Sequence, residues 1–253
     1  MLANILIVIG CVLAALAFLF LVTSTSATHS RKESNDFTGA VVAVIGTTYA
    51  VLLAFMLSGV WNMFQQAQIN EEQEANSLVN VFRLAEHLKY SNGAEIQGLC
   101  RTYAEQAVNH EWPSLAKDQR LQDGSNLIYQ LWRAAGQSKV HNDTDSIVIY
   151  QLMEELREMT EFRRIRLTQA REKLPGILWA VLIVGGIITV TACCFFGVPN
   201  FRFHILQVVV LAFLISLVLV AIQDIDRPYQ GVVKVAPEGF QAALQTFQNE
   251  TGR

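Results

Sequence analysis

The chain has 253 residues, of which 52% are hydrophobic and only 16% charged, against about 25% charged in an average soluble domain. A net charge of −3 leaves no basic surplus for neutralising phosphates, which excludes a nucleic-acid binder held by electrostatics. A mean hydropathy of +0.30 excludes a disordered chain, and four cysteines in this length exclude a disulfide-built scaffold. An integral membrane protein, or a soluble one with an outsized core, remains.

The apolar residues fall in four blocks. The first runs from Leu2 to Val22, with no charged residue before Arg31. The second runs from Ala40 to Trp61, between Asp36 and Glu71. The third spans 177–197, after Pro175, and the fourth spans 205–222, before Asp224. Each holds roughly 18–22 residues, enough at about 1.5 Å per residue to cross about 30 Å of hydrocarbon. The fold class expected is an all-α integral membrane protein with four transmembrane helices in two hairpins and an extramembrane helical domain between them. The domains are 1–62 (spans 2–22 and 40–61), 63–174, 175–223 (spans 177–197 and 205–222) and a tail, 224–253. The rival reading of the first block is a cleaved signal peptide. It lacks a basic n-region, and no A-x-A site stands in TSTSATHS.

The middle segment has helical periodicity. Ala75, Leu78, Phe82, Ala85 and Leu88 share one face. Further stripes follow at Ile96–Leu99–Tyr103–Ala107, around Leu127–Leu131–Ala135, and at Ile149–Leu152–Leu156–Met159. Breaks are expected near Ser91–Gly93, at Pro113–Ser114, at Asp123–Ser125 and at His141–Thr144. No proline precedes Pro113 and no glycine lies between Gly59 and Gly93, so the second span is expected to run on as a rod to about Tyr90. The helix through Glu154–Arg171 is expected to lead almost directly into the third span, with Pro175 in its first turn.

Catalytic chemistry finds no foothold. The histidines, His29, His87, His110, His141 and His204, form no H-x-x-x-H or H-E-x-x-H pair, and no phosphate loop or nucleophile elbow occurs. No enzyme, catalytic residue, metal or cofactor is expected. The four blocks contain no Asp, Glu, Lys or Arg, whereas pumps rely on intramembrane ionisable relays. Ala43, Thr47, Ala50, Ala54 and Ser58 instead form a stripe of small, mildly polar side chains on the second span. That stripe either packs against another helix or faces water in a pore built from several copies.

Charge gathers at the membrane edge. Glu71, Glu72 and Glu74 follow the second span, and Arg163, Arg164, Arg166, Arg171 and Lys173 precede the third. The two clusters either pair across adjacent helices, lie solvated among headgroups, or ring a charged vestibule. Asp224, Asp226, Arg227 and Pro228 form a structural cluster in which Arg227 is expected to pair with Asp224 or Asp226. Sidedness is left open by the basic residues: Arg31, Lys32 and Arg202 argue for one orientation, the cluster before the third span for the other.

Four stretches, EEQEANSLVNVFRLAEHL, HEWPSLAKD, LREMTEFRRIRLTQAREKLPGILWAVLIVGGIITV and DRPYQGVVKVAPEGFQAAL, resemble the prokaryotic bestrophin-like domain family. The family's residues here are Glu72, Glu74, Ala75 and Asn76, Glu111–Trp112–Pro113, Arg163, Arg164 and Arg166, and Asp226–Arg227–Pro228. The name implies similarity to bestrophins, which are pentameric anion channels with an extended second helix lining the pore and with termini and helical domain in the cytoplasm. The resemblance implies no calcium gating, since the acidic clasp of bestrophins has no match. The expected function is a homo-oligomeric, pentameric ion channel in the cell membrane that conducts passively, with anions favoured by the family name. Its pore-lining residues would be Ala43, Thr47, Ala50, Ala54, Phe55, Ser58 and Trp61, with the acidic ring favouring cations at the mouth. The partners expected are the lipid bilayer, other copies of the chain and small inorganic ions. The alternatives are a non-conducting scaffold or sensor whose helical domain docks a partner protein, and a membrane-embedded enzyme.

Overall fold

The structure, a computed structural model, describes residues 2–25, 35–88, 92–119 and 124–251. Arg31, Lys32, Tyr90, Ser91, Asp123 and most of the TSTSATHS stretch lie outside the described residues. Among the described residues there is no strand. The helices are α1 (Leu2–Thr25), α2 (Asn35–Glu86), α3 (Gly93–Gln106), a π-helical segment (Ala107–Glu111), α4 (Trp112–Ala116), α5 (Gly124–Gly136), α6 (Asp143–Gln169), α7 (Gly176–Cys194), α8 (Phe201–Ile225) and α9 (Glu238–Thr251). Four of them are long and apolar enough to cross a membrane: α1, α2, α7 and α8. The protein is therefore an all-helical membrane protein. It divides into two compact units, Met1–Asn62 with Lys173–Asp226 and Met63–Glu172 with Arg227–Arg253.

The first unit is built from α1, the first half of α2, α7 and α8. A span must satisfy its own backbone in hydrocarbon, which only a continuous helix does. Ala15 and Leu19 of α1 pack with Cys194, Val208 and Ala212. Tyr49, Leu53 and Val60 of α2 pack with Leu182, Ile215 and Ile222. Asn35 ties the start of α2 to the α7–α8 turn twice over, donating to Gly197 O at 3.0 Å and accepting the Gly197 N–H at 2.9 Å. Asn200 caps α8 by accepting the Arg202 N–H. Helix α7 begins one residue beyond Pro175, which stands at the cap rather than in the first turn, and residues 170–175 separate it from α6.

In lipid no hydrophobic force draws helices together, so close approach over small residues is decisive. The Gly185–Gly186 pair of α7 provides that approach. A Cβ on Gly185 would stand 2.6 Å and 2.7 Å from two Tyr49 ring carbons, and one on Gly186 3.0 Å from the Tyr49 hydroxyl oxygen. The ring seated there donates its hydroxyl to Leu182 O at 2.8 Å. Gly185→Ala is therefore expected to destabilise the protein by about 1–3 kcal/mol through overpacking. Tyr49→Phe is expected to cost about 1 kcal/mol through the lost hydrogen bond. Thermal unfolding in detergent checks both, and a Gly185→Ala protein as stable as the native one contradicts the packing argument.

The second unit assembles the rest of α2 with α3 to α6 and α9. The amphipathic stripes supply its core: Leu78, Phe82 and Ala85 of α2, Ile96 and Tyr103 of α3, Leu131 and Ala135 of α5, and Leu152, Leu156 and Met159 of α6 are all buried. Asn142 caps α6 by accepting the Asp145 N–H at 2.8 Å, with Asp143 and Asp145 in the dipole-favoured first turn.

Two features differ from the expectation. Pro113 does not break the chain: it lies in the first turn of α4, and the helical path reaches it through the π segment. The Trp112 N–H bonds back to Ala107 O, so the wider turn absorbs the strain that a proline puts on the preceding backbone. The stretch after residue 224, read only as a tail, contains α9. Phe247 of that helix stacks on Phe82 with ring centroids 4.2 Å apart, and Phe240 meets Trp112 at 5.6 Å.

Candidate functional site

Two groups of residues have functional interest, one in each unit. In the first unit the face of α2 that packs inward is Tyr49, Leu53 and Val60, all buried. Every residue of the small stripe, Ala43, Thr47, Ala50, Ala54 and Ser58, is exposed, as are Phe55 and Trp61. The stripe therefore packs against no helix of its own unit. The exposed face has two flanks on a wheel of about 100° per residue. Ala43, Thr47, Ala50, Ala54, Ser58 and Trp61 occupy one flank. Val44, Val51, Leu52 and Phe55 occupy the other, so Phe55 stands apart from the stripe it was grouped with. No formal charge occurs in α2 between Asp36 and Glu71. A water-filled passage along the small flank would select by width and by hydroxyl dipoles.

In the second unit a buried ionic cluster is centred on Arg166, which is fully enclosed. Its Nε donates to Glu74 Oε2 at 2.6 Å, and its Nη2 donates to Glu74 Oε1 at 2.9 Å and to Glu111 Oε2 at 2.8 Å. Arg163 Nη1 reaches Glu111 Oε1 at 2.7 Å and donates to the Tyr103 hydroxyl oxygen at 3.1 Å. Tyr103 in turn donates its hydroxyl to Glu74. The Arg166 guanidinium carbon lies 4.6 Å from the Trp112 ring centroid, a cation–π contact in a dry site. Four helices, α2, α3, α4 and α6, and the π segment supply these side chains, and the π segment turns both Glu111 and Trp112 inward. Burial pushes the Glu111 carboxyl up, but Arg166 and Arg163 outweigh it and hold it below the usual carboxylate range. Burial pushes the Tyr103 hydroxyl up, and Glu74 adds to that.

Of the charges that could have ringed a vestibule, Glu71, Glu74, Arg163 and Arg166 are buried, at 6% exposure or less. They belong to the interior of the unit and present no charge to solvent. Glu72 and Arg164 are exposed, and Arg164 pairs with Glu161 on its own helix. The acidic and basic clusters thus do meet across α2 and α6, through Glu74 and Arg166. Asp226 accepts the Leu174 N–H at 2.8 Å. Arg227 is exposed and donates to Gln230 Oε1 at 3.4 Å, and Pro228 O accepts the Val235 N–H at 2.7 Å. Tyr103, Trp112 and Phe240 complete the cluster without having been singled out for it. Among the described residues no group of three or more His, Cys, Asp or Glu is placed to hold a metal ion.

The profile of the Bestrophin-like domain matches residues 9–240. The fold is shared with a bacterial bestrophin homologue from Klebsiella pneumoniae. One single-site variant of it matches at a TM-score of 0.74 with 11% identity, covering 97% of this chain and 99% of that one. The structure of the same homologue solved by zinc phasing matches at 0.71 with 12% identity over 98% of both chains. A structure described as a membrane protein, also a single-site variant, matches at 0.73 with 11% identity over the full length of both. No curated protein sequence matches the chain. With four spanning helices, the shared fold and a profile that covers nearly all of its length, the chain belongs to the bestrophin-like domain family.

Proposed function

We propose that five copies of this chain form an ion channel whose axis is lined by the small flank of α2. The observation that supports it is the exposure of Ala43, Thr47, Ala50, Ala54 and Ser58 beside an inward face that is fully packed. Two hairpins are too few to enclose a conduit, so closure takes a ring of subunits. The likeness to bestrophins supports a cytoplasmic position for the helical domain and both termini. Conduction is passive, because the spans hold no ionisable relay.

Anion preference follows the resemblance to bestrophins. Glu72 opposes it. This exposed acid lies about five helical turns after Ala54 on the same helix, and a ring of five would repel anions at the mouth. Reconstitution in planar bilayers under asymmetric KCl tests the proposal: the expected reversal potential lies on the chloride side, and Glu72→Gln is expected to raise the chloride-to-potassium permeability ratio at least about twofold. Reversal on the potassium side overturns the anion preference. Silent, correctly assembled particles overturn conduction and leave the scaffold reading.

A further inference from the structure

The chain that leaves the fourth span closes at once into a loop. Helix α8 ends at Ile225. Beyond it the Gln230 N–H donates to Arg227 O at 2.9 Å, and the Val235 N–H donates to Pro228 O at 2.7 Å. The turn between them uses Gly231 at φ 83°, a left-handed conformation that glycine adopts at least cost. Packing holds the base of the loop. Pro228, Tyr229 and Val235 are buried, and Val235 O accepts the Trp112 indole N–H at 3.1 Å. The tip is different: Val232 is 61% and Val233 43% exposed. One exposed valine would be ordinary. Turn tips otherwise favour Gly, Asn, Asp and Ser, so two valines side by side on a pinned loop are a small apolar surface held outward.

Two paths along the chain bound the depth of that tip. From α8, the loop closes at Pro228, three residues after the span, and Val232 follows the span by seven. Seven residues reach at most about 25 Å even when fully extended. From α2, Phe64 and Gln68 border a cavity of about 220 Å³ together with Lys234 and Val235. Those two residues of α2 stand about 4.5 Å and about 10 Å along the helix from Trp61. The polar layer of a bilayer extends about 5–7 Å beyond the hydrocarbon. The base of the loop therefore stands at or just beyond headgroup level.

We propose that Val232 and Val233 are a membrane-surface anchor: the two side chains dip into the bilayer interface beside the spans. The partner is the lipid surface itself, and the anchor does not depend on conduction. Apolar side chains gain from burial at the boundary between headgroups and acyl chains, and the spans already hold that boundary within reach of the loop. Arg227 and Lys234, both exposed, flank the tip, and long basic side chains extend readily to phosphates. Glu72 and Glu238 border the same cavity as Lys234 and offset its charge, so apolar contact leads and electrostatics follows.

Nitroxide labels read the depth. Val232→Cys and Val233→Cys are labelled in the full chain, in a Cys11→Ala background because Cys11 is exposed, and reconstituted in phosphatidylcholine vesicles. Both tip positions are exposed, so the fold tolerates the substitutions. Gln137→Cys, exposed between α5 and α6, serves as the water-facing reference. Collisions with oxygen, which concentrates in lipid, are compared with collisions with a nickel chelate, which stays in water. Oxygen accessibility is expected to exceed nickel accessibility at least about twofold at 232 and 233, with the order reversed at 137. A nickel excess at the tip places the valines in water and overturns the proposal. Low accessibility to both reagents means that protein, a second copy of the chain included, covers the tip, and overturns it too. Replacing one third of the lipid with phosphatidylglycerol is expected to change the ratio by less than about 1.5-fold. An oxygen excess that appears only with the anionic lipid overturns the apolar anchor.

Discussion

Arg166→Met is expected to lower folding stability by about 3–5 kcal/mol, the cost of breaking a buried ion pair from one side. Methionine fills much of the volume, so the loss comes from charge rather than from a cavity. Glu74 would keep only the Tyr103 hydroxyl among the partners described above, with its carboxylate fully enclosed. Arg163 would remain on Glu111 at 2.7 Å, so the second carboxylate keeps a cation. Adding Glu74→Gln to Arg166→Met should then recover a good part of the loss, because the stranded charge is gone. Arg164→Ala provides the contrast. Its pair with Glu161 is 73% and 45% exposed, and its removal is expected to leave stability unchanged within the error of the measurement, because solvent screens the pair. Chemical denaturation of the three variants in detergent checks the series. Equal losses at Arg164 and Arg166 would show that the interior cluster does not hold the unit together.

That contrast bears on how much of the cluster the sequence announced. Glu71 and Glu74 lie four residues before Ala75 and Leu78, on the apolar stripe of α2, whereas Glu72 lies off it. Arg163 and Arg166 likewise continue the Leu152–Leu156–Met159 face, and Arg164 does not. Charges in phase with a buried stripe are a readable sign of an internal ion pair, and grouping the acids by adjacency hid it. Glu111 keeps the same phase, four residues after Ala107 on the Ile96–Tyr103 stripe, whereas Trp112 does not: the extra residue of the π segment carries it by about 100° onto the buried side. Helix α9 was readable in the 3-4 spacing of Phe240, Ala243 and Phe247, all buried, but its neighbour across the unit was not. The spans were the plainest part. A bilayer imposes length and composition together, so four blocks of the right length already mean four helices. The uninterrupted α2 followed from missing prolines and glycines, since nothing stops a helix that has no breaker.

The orientation of α2 is the step on which the channel rests, and cysteine substitution separates its two exposed flanks. Cys11 is exposed, so the background carries Cys11→Ala. In that background Ala54→Cys is expected to react with a charged thiol reagent and lose current about tenfold or more, because a fixed charge in a narrow apolar passage bars the ion path. Val51→Cys, on the bulky flank about 60° away, is expected to keep its current, as its sulfur faces lipid or a neighbouring subunit where a charged reagent is not solvated. Leu53→Cys supplies the third case: Leu53 packs with Ile215 and Leu182, so it should not react at all. Ala54 and Val51 are both exposed within the protomer, which keeps folding out of the comparison. Block at Val51 with none at Ala54 would rotate the pore onto the bulky flank, where Phe55 would become the constriction. Block at neither, in particles that conduct, would move the ion path away from α2 altogether.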